Sequence, residues 1–394
     1  MTVSPKRAAK PRRGRLGRWH LVLVASIAVL LASALGSYAW WKLGRPIVLQ
    51  AKPYVYNPGP KGDLCPRRDP GLRGATSRLP DIPHLVTHEG HVLPSRRVRS
   101  YTYSTNSEAF RGTEDLPRTK RSGVFRIGVF GTGVSFGNGV DDEWPWPLLL
   151  EQRLEASEQA FEVYNLAIPG STTDDGTVLL DQLAVEMDFD LVIFCYGVND
   201  GLTHKQRPVA LYRLALERLL RLRERHDLDM LFAIEPRSSF YPWPYEGHEA
   251  AFRELLDGVE GTILDLPREL DLLERQHGLR LEDDGGVQRV VEYRGGRGRV
   301  LIETPWDPEL AVERLRGVVW HHQVWDEHDQ PIVIDEHYQP DKGVQSVSPD
   351  VYDFLDTHWV DMANFIDGVH LNEQGHVEVA RLVHEELHRR GIAP

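Results

Sequence analysis

The sequence predicts an α/β protein: a doubly wound, parallel five-stranded sheet with helices on both faces, a three-layer α/β/α sandwich. Two observations carry this expectation. Between Val124 and Leu266 short apolar runs alternate with stretches of helical periodicity, and the runs lack the in-out alternation of a sheet with one wet face. The first run, 124–130, stops in a turn holding Gly131, Gly133, Gly137 and Gly139, and open α/β sheets build their sites at such carboxyl ends.

The predicted strands cover 124–130, 161–165, 190–196, 230–235 and 261–266, and the predicted helices cover 147–157, 174–187, 208–226 and 246–256. In 208–226, Leu211, Tyr212, Ala215, Leu216, Leu219 and Leu222 keep helical spacing while Arg213, Glu217, Arg218 and Arg221 fall on the other side. From about 278 to 365 the alternation is lost. There 279–282, 287–293 and 299–303 read as short antiparallel strands joined by glycine-rich turns, a β-rich insertion that either caps the carboxyl edge of the sheet or decorates the surface. A last helix is expected over 376–388.

The chain before the sheet divides in three. Residues 1–18 are a basic tail, 19–41 form an uncharged apolar run, and 42–122 are broken by Pro and Gly too often for a long helix, so they read as a stalk and lead-in to the body at 123–394. The apolar run is long enough to span a bilayer, with the basic tail on the cytoplasmic side and Trp19, Tyr38, Trp40 and Trp41 at interfacial positions. A cleaved secretory signal, with Ala32, Ser33 and Ala34 at the cut, is the other reading; the length of the run favours a single-pass anchor in the cytoplasmic membrane. Both readings export the body.

Charge excludes one class of partner. Residues 1–45 hold nine of the 46 Lys and Arg and no Asp or Glu, which leaves 37 basic against 58 acidic residues in the remainder. Such a body repels nucleic acid. Of the two cysteines, Cys195 falls in an apolar strand as a buried thiol, and Cys65 lies in the stalk; export permits a bridge between them without requiring one. His321, His322, His328 and His337, among Asp326, Glu327, Asp329, Asp335 and Glu336, fit no zinc spacing and read as an acidic solvated loop, so no metal is expected. Gly131 and Gly133 lack the third glycine of a dinucleotide turn, and no cofactor is expected.

Four blocks in order carry a family likeness: the Gly131–Gly133 turn, Asn165 to Gly170, Gly197 to Asp200, and Asp367 to His370. This arrangement resembles the SGNH, or GDSL, hydrolases, and the segment from Asn106 to Gly112 looks like the lead-in of their membrane-anchored bacterial members. The resemblance implies the SGNH hydrolase fold, flavodoxin-like in strand order, and hydrolysis of an ester. It assigns His370 as general base, Asp367 as the group that orients it, and Gly170 and Asn199 as donors to the oxyanion. An exported, acidic body with aromatic residues in its insertion suits a small-molecule or glycan ester as ligand.

The first block departs from the family pattern. The run Phe136 to Val140 sets the register, and the position of the nucleophile serine falls on Gly133, which has no side chain to attack with. Three readings follow: Ser135 attacks instead; His370 and Asp367 activate water; or the pocket binds an acylated ligand without turnover, as a pseudoenzyme.

Overall fold

The computed structural model describes residues 70–80, 85–86, 92–93, 98–201, 208–239, 246–257, 259, 263–305, 319–325, 331–337, 350–351, 354, 364–366 and 369–394. The apolar run 19–41, most of the stalk, Cys65 and Asp367 lie outside them. Among the described residues no helix is long and apolar enough to cross a membrane.

The strands, in chain order, are β1 (Ala75–Pro80), β2 (Leu85–Val86), β3 (Val92–Leu93), β4 (Val98–Tyr103), β5 (Val124–Gly131), β6 (Ala160–Asn165), β7 (Leu191–Tyr196), β8 (Met230–Ile234), β9 (Ile263–Asp265), β10 (His277–Asp283), β11 (Val287–Arg294), β12 (Arg297–Pro305), β13 (Val319–Trp325) and β14 (Pro331–His337). Five of them form the expected parallel sheet in the order β6-β5-β7-β8-β9. Both faces are covered. Ile127, Val129, Leu191, Ile193, Leu231 and Ala233 pack with Trp146, Leu150, Leu266, Leu270, Val379 and Val383 of the helices Trp146–Leu154, Leu266–Glu274 and Glu373–Arg389. The intervening strand residues face the helices Thr173–Met187, Val209–His226 and Glu246–Leu256, where Phe232 meets Phe252 edge-on at 6.4 Å. Each fully buried Leu or Ile here contributes about 1.5–3 kcal/mol relative to exposure. Cys195 is a free thiol inside this core.

Several elements differ from the sequence expectation. The helix Leu266–Glu274 follows β9 directly, because Asp265 caps it by accepting from Arg268 N at 3.1 Å and Pro267 sits in its first turn. The final helix starts at Glu373, earlier than expected, with Asn372 as its cap. Within the stalk, β1 pairs antiparallel with β4. The histidine-rich stretch read as a loop is a β13–β14 hairpin in which His321 pairs with Asp335; its connection 326–330, with His328, lies outside the described residues. The insertion forms the antiparallel sheet β10-β11-β12.

Among the contacts that pin the lead-in to the body, one arginine reaches the β5 turn. Arg111 is buried. It donates to Asp142 Oδ1 at 2.9 Å, Gly137 O at 3.1 Å and Val140 O at 2.9 Å, and its guanidinium lies 5.2 Å from the Phe136 ring centre. Burial lowers the Arg111 pKa from its ordinary value, opposed by Asp142 beside it.

Candidate active site

Strand order locates the site before any side chain is considered. The chain passes from β5 outward to β6 and then back across to β7, so the crevice between the carboxyl ends of β5 and β7 is the topological switch point where such sheets bind ligands. Gly131 ends β5 and Tyr196 ends β7 at this crevice.

The β5 turn is held by close approaches that demand glycine. A Cβ on Gly131 would lie 2.4 Å from Ser135 Oγ and 3.0 Å from Cys195 O. Thr132 then caps a single helical turn, Gly133–Phe136, which ends at Gly137 with φ +91°. Ser135 is fully buried, its hydroxyl directed inward at Gly131. Gly133 faces the other way. A Cβ there would lie 3.0 Å from His370 Nε2 and 2.5 Å from Asn138 Nδ2.

The loops after β6 and β7 are tied to this turn. Ile168 N donates to Gly131 O at 2.8 Å, and Asn165 Nδ2 to Ser135 O at 2.9 Å. Gly170 takes φ +73°, a value glycine reaches without strain. Asn199 Nδ2 donates to Ser171 O at 2.8 Å, and the buried Asp200 accepts from Thr173 N and Oγ1 at the start of the helix Thr173–Met187. Gly176 in that helix has to be glycine, since a Cβ would lie 2.4 Å from the Tyr196 ring.

His370 sits in a narrow hairpin. Ile366 N donates to His370 O at 2.7 Å, and Asn372 N to Asn364 O at 3.0 Å, closing the loop through the buried Phe365 and Leu371. Asn138 Nδ2 is 3.4 Å from His370 Nε2. A second histidine, His376, is nearby but differently used. Its Nδ1 accepts from Trp146 N at 3.1 Å, and burial, reinforced by Arg111, His370 and Arg99, depresses its pKa to about 3. It is a neutral structural group.

Two residues join the site that the sequence did not single out. Asn138 is one. Glu235, just past the end of β8, is the other: it is buried, takes the Thr132 hydroxyl as a donor and accepts from Val198 N at 2.9 Å, so one carboxyl ties the β5 turn to the β7 loop. An acid immediately after the all-apolar run Met230 to Ile234 was the available signal. Burial pushes the Glu235 pKa up to about 7, with Asp200 adding to the rise and the hydrogen bonds and His370 opposing it. The folded state therefore keeps a proton that the unfolded chain gives up above its ordinary 4.5, and stability is lost as pH rises from there through about 7. Glu235→Gln should remove this loss, so its stability advantage over the parent in urea unfolding should grow from pH 5 to pH 8; a difference independent of pH refutes it.

Residues 129–285 match the GDSL-like Lipase/Acylhydrolase family. The likeness belongs to that segment. It takes in the β5 turn and the loops after β6 and β7, and it stops before His370. Among curated proteins, an arylesterase of Vibrio mimicus is 39% identical over 74 residues, which is 19% of this chain and 37% of that protein. Esterase TesA of Pseudomonas aeruginosa is 32% identical over 84 residues, 21% of this chain and 42% of its own. The chain thus spans about two fifths of the length of the curated relatives it matches. A lipase/acylhydrolase structure from Enterococcus faecalis aligns at 20% identity with a TM-score of 0.33, covering 38% of this chain and 79% of the other; the TesA structure aligns at 22% and 0.33, covering 38% and 81%.

Proposed function

We propose that this GDSL-like domain receives an ester ligand in the crevice between β5 and β7 without forming an acyl-enzyme, and that His370 activates water there, if slowly, in place of a serine. The supporting observation is the direction of Gly133: its missing side chain is the one that would meet His370 Nε2, with only 3.0 Å from Cβ to nitrogen. Ser135 does not substitute, because its hydroxyl is fully buried and directed at Gly131 beneath the turn. Gly170 N–H and the Asn199 amide are the oxyanion donors in this reading. An amide has two N–H bonds, and one on Asn199 is committed to Ser171 O. Without the nucleophile, the residual rate of such sites is about 10³ to 10⁴ over water. Asp367 orients His370.

The apolar segment 19–41, with its basic flank, places the domain outside the cytoplasmic membrane in this reading, where an acylated glycan or another cell-envelope ester is the ligand.

The test is covalent labelling. A fluorophosphonate, which captures activated serines, should leave the full chain unmodified, while a short-chain aryl ester should be hydrolysed at a low rate that falls further in His370→Ala. A phosphonyl adduct on Ser135 would overturn the reading, and an aryl-ester rate indifferent to His370→Ala would remove the water step.

A further inference from the structure

The space in front of Gly133 is filled by another residue of the same turn. Gly137 N and Asn138 N both donate to Gly133 O, at 3.0 and 2.9 Å, so the chain curls back and carries the side chain of residue 138 over the face of residue 133. Gly137 at φ +91° and Gly139 at φ +94° permit that curl. Arg111 clamps it from both sides, on Gly137 O and Val140 O. Asn138 is 1% exposed, and its Oδ1 has no hydrogen-bond partner among the described residues. A carboxamide buried with one end unsatisfied is uncommon and calls for a reason. The other end supplies one: Nδ2 faces His370 Nε2 at 3.4 Å and lies 2.5 Å from where a Cβ on Gly133 would be.

We propose that Asn138 is a positioning residue for His370, its carboxamide standing where a side chain at residue 133 would stand and holding the imidazole by Nε2. This rests on reading Gly133 as the nucleophile position. The amide N–H donates to the Nε2 lone pair, which keeps the ring proton on Nδ1; water can give its proton to Nε2 only when the amide turns aside, which holds the rate low. Glycine at 133 and asparagine at 138 are then one coupled arrangement: serine cannot return to 133 while the amide is in place, and the Arg111 clamp opposes its withdrawal.

The test uses the full chain as Gly133→Ser, Asn138→Ala and the double variant, with fluorophosphonate labelling and the ring-nitrogen resonances of His370 in histidine-15N-labelled protein, assigned by their loss in His370→Gln. The expected result is a displaced His370 Nε2 resonance in Asn138→Ala, and labelling about tenfold or more faster in the double variant than in Gly133→Ser alone. If the alanine variant does not fold, Asn138→Asp keeps the shape but only accepts, and should move the ring proton to Nε2. Unchanged ring resonances in whichever of these variants folds, or measurable labelling at equal rates in the single and double serine variants, overturn the proposal. A displaced resonance with no labelling of either serine variant supports Asn138 as the positioning residue and overturns the assignment of Gly133 as the nucleophile position.

Discussion

Replacing Arg126 with methionine should cost about 3–5 kcal/mol of folding stability, the range for leaving one partner of a buried ion pair alone. The Arg126 side chain is fully buried in β5, and its guanidinium contacts Glu162 at 2.9 Å, Met187 O at 2.8 Å and Pro117 O at 3.1 Å. One group thus joins the lead-in, β6 and the end of the helix Thr173–Met187. Methionine fills much of the volume but satisfies neither carbonyl. Glu162 is left with Arg121, which is largely exposed, and with the Tyr164 hydroxyl at 3.0 Å. Burial raises the Glu162 pKa, yet Arg121, Arg126 and Tyr164 together hold it below the usual value, so the parent carries carboxylate stability that is lost as pH falls through the folded pKa. Urea unfolding of Arg126→Met with and without Glu162→Gln measures the effect: the double variant should recover part of the loss. A cost under about 1 kcal/mol for Arg126→Met, the level of a surface pair, would refute the assignment.

Gly375→Ala should open the hairpin that carries His370. A Cβ at this position would lie 2.0 Å from Asn364 O and 2.9 Å from a Leu371 methyl. The first is backbone, so no rotamer change relieves it. Asn364 O also accepts from Asn372 N at 3.0 Å, the bond that closes the base of the hairpin. The clash and the closure therefore compete for one carbonyl. Overpacking of this kind costs about 1–3 kcal/mol and occasionally more. The expected outcome is a lower urea midpoint together with loss of the His370-dependent part of aryl-ester hydrolysis. Gly286→Ala is the control, because a Cβ there meets nothing within 4 Å; if both substitutions behave alike, the packing argument fails.

The central sheet was legible because strands covered on both faces stay mostly apolar even where Arg126 and Glu162 interrupt them, and all five observed strands fall on the expected ranges. The helix Leu266–Glu274 was hidden because Leu266 extends the apolar run of β9 as readily as it starts a helix; Asp265 as cap and Pro267 are the marks of the change. β1 was hidden among prolines, and its pairing with β4 is a contact across the chain that periodicity does not encode. At the site, the register of Phe136 to Val140 led to Gly133, whose Cβ direction the structure places against His370 Nε2. Asn138 was not legible, and Glu235 left only the signal of an acid closing an apolar run. A polar residue in a turn and an acid at a strand end are most often solvated, and only the packing around them shows that neither reaches water.

Arg111 lies before the stretch shared with the GDSL-like family, and His370 lies after it. Yet the turn containing Gly133 and Asn138 is clamped by the first and faced by the second. The shared stretch is therefore not a module that can be excised with its site intact. A fragment cut at 129 and 285 would lose most of β5, the brace that shapes the turn and the imidazole that faces it.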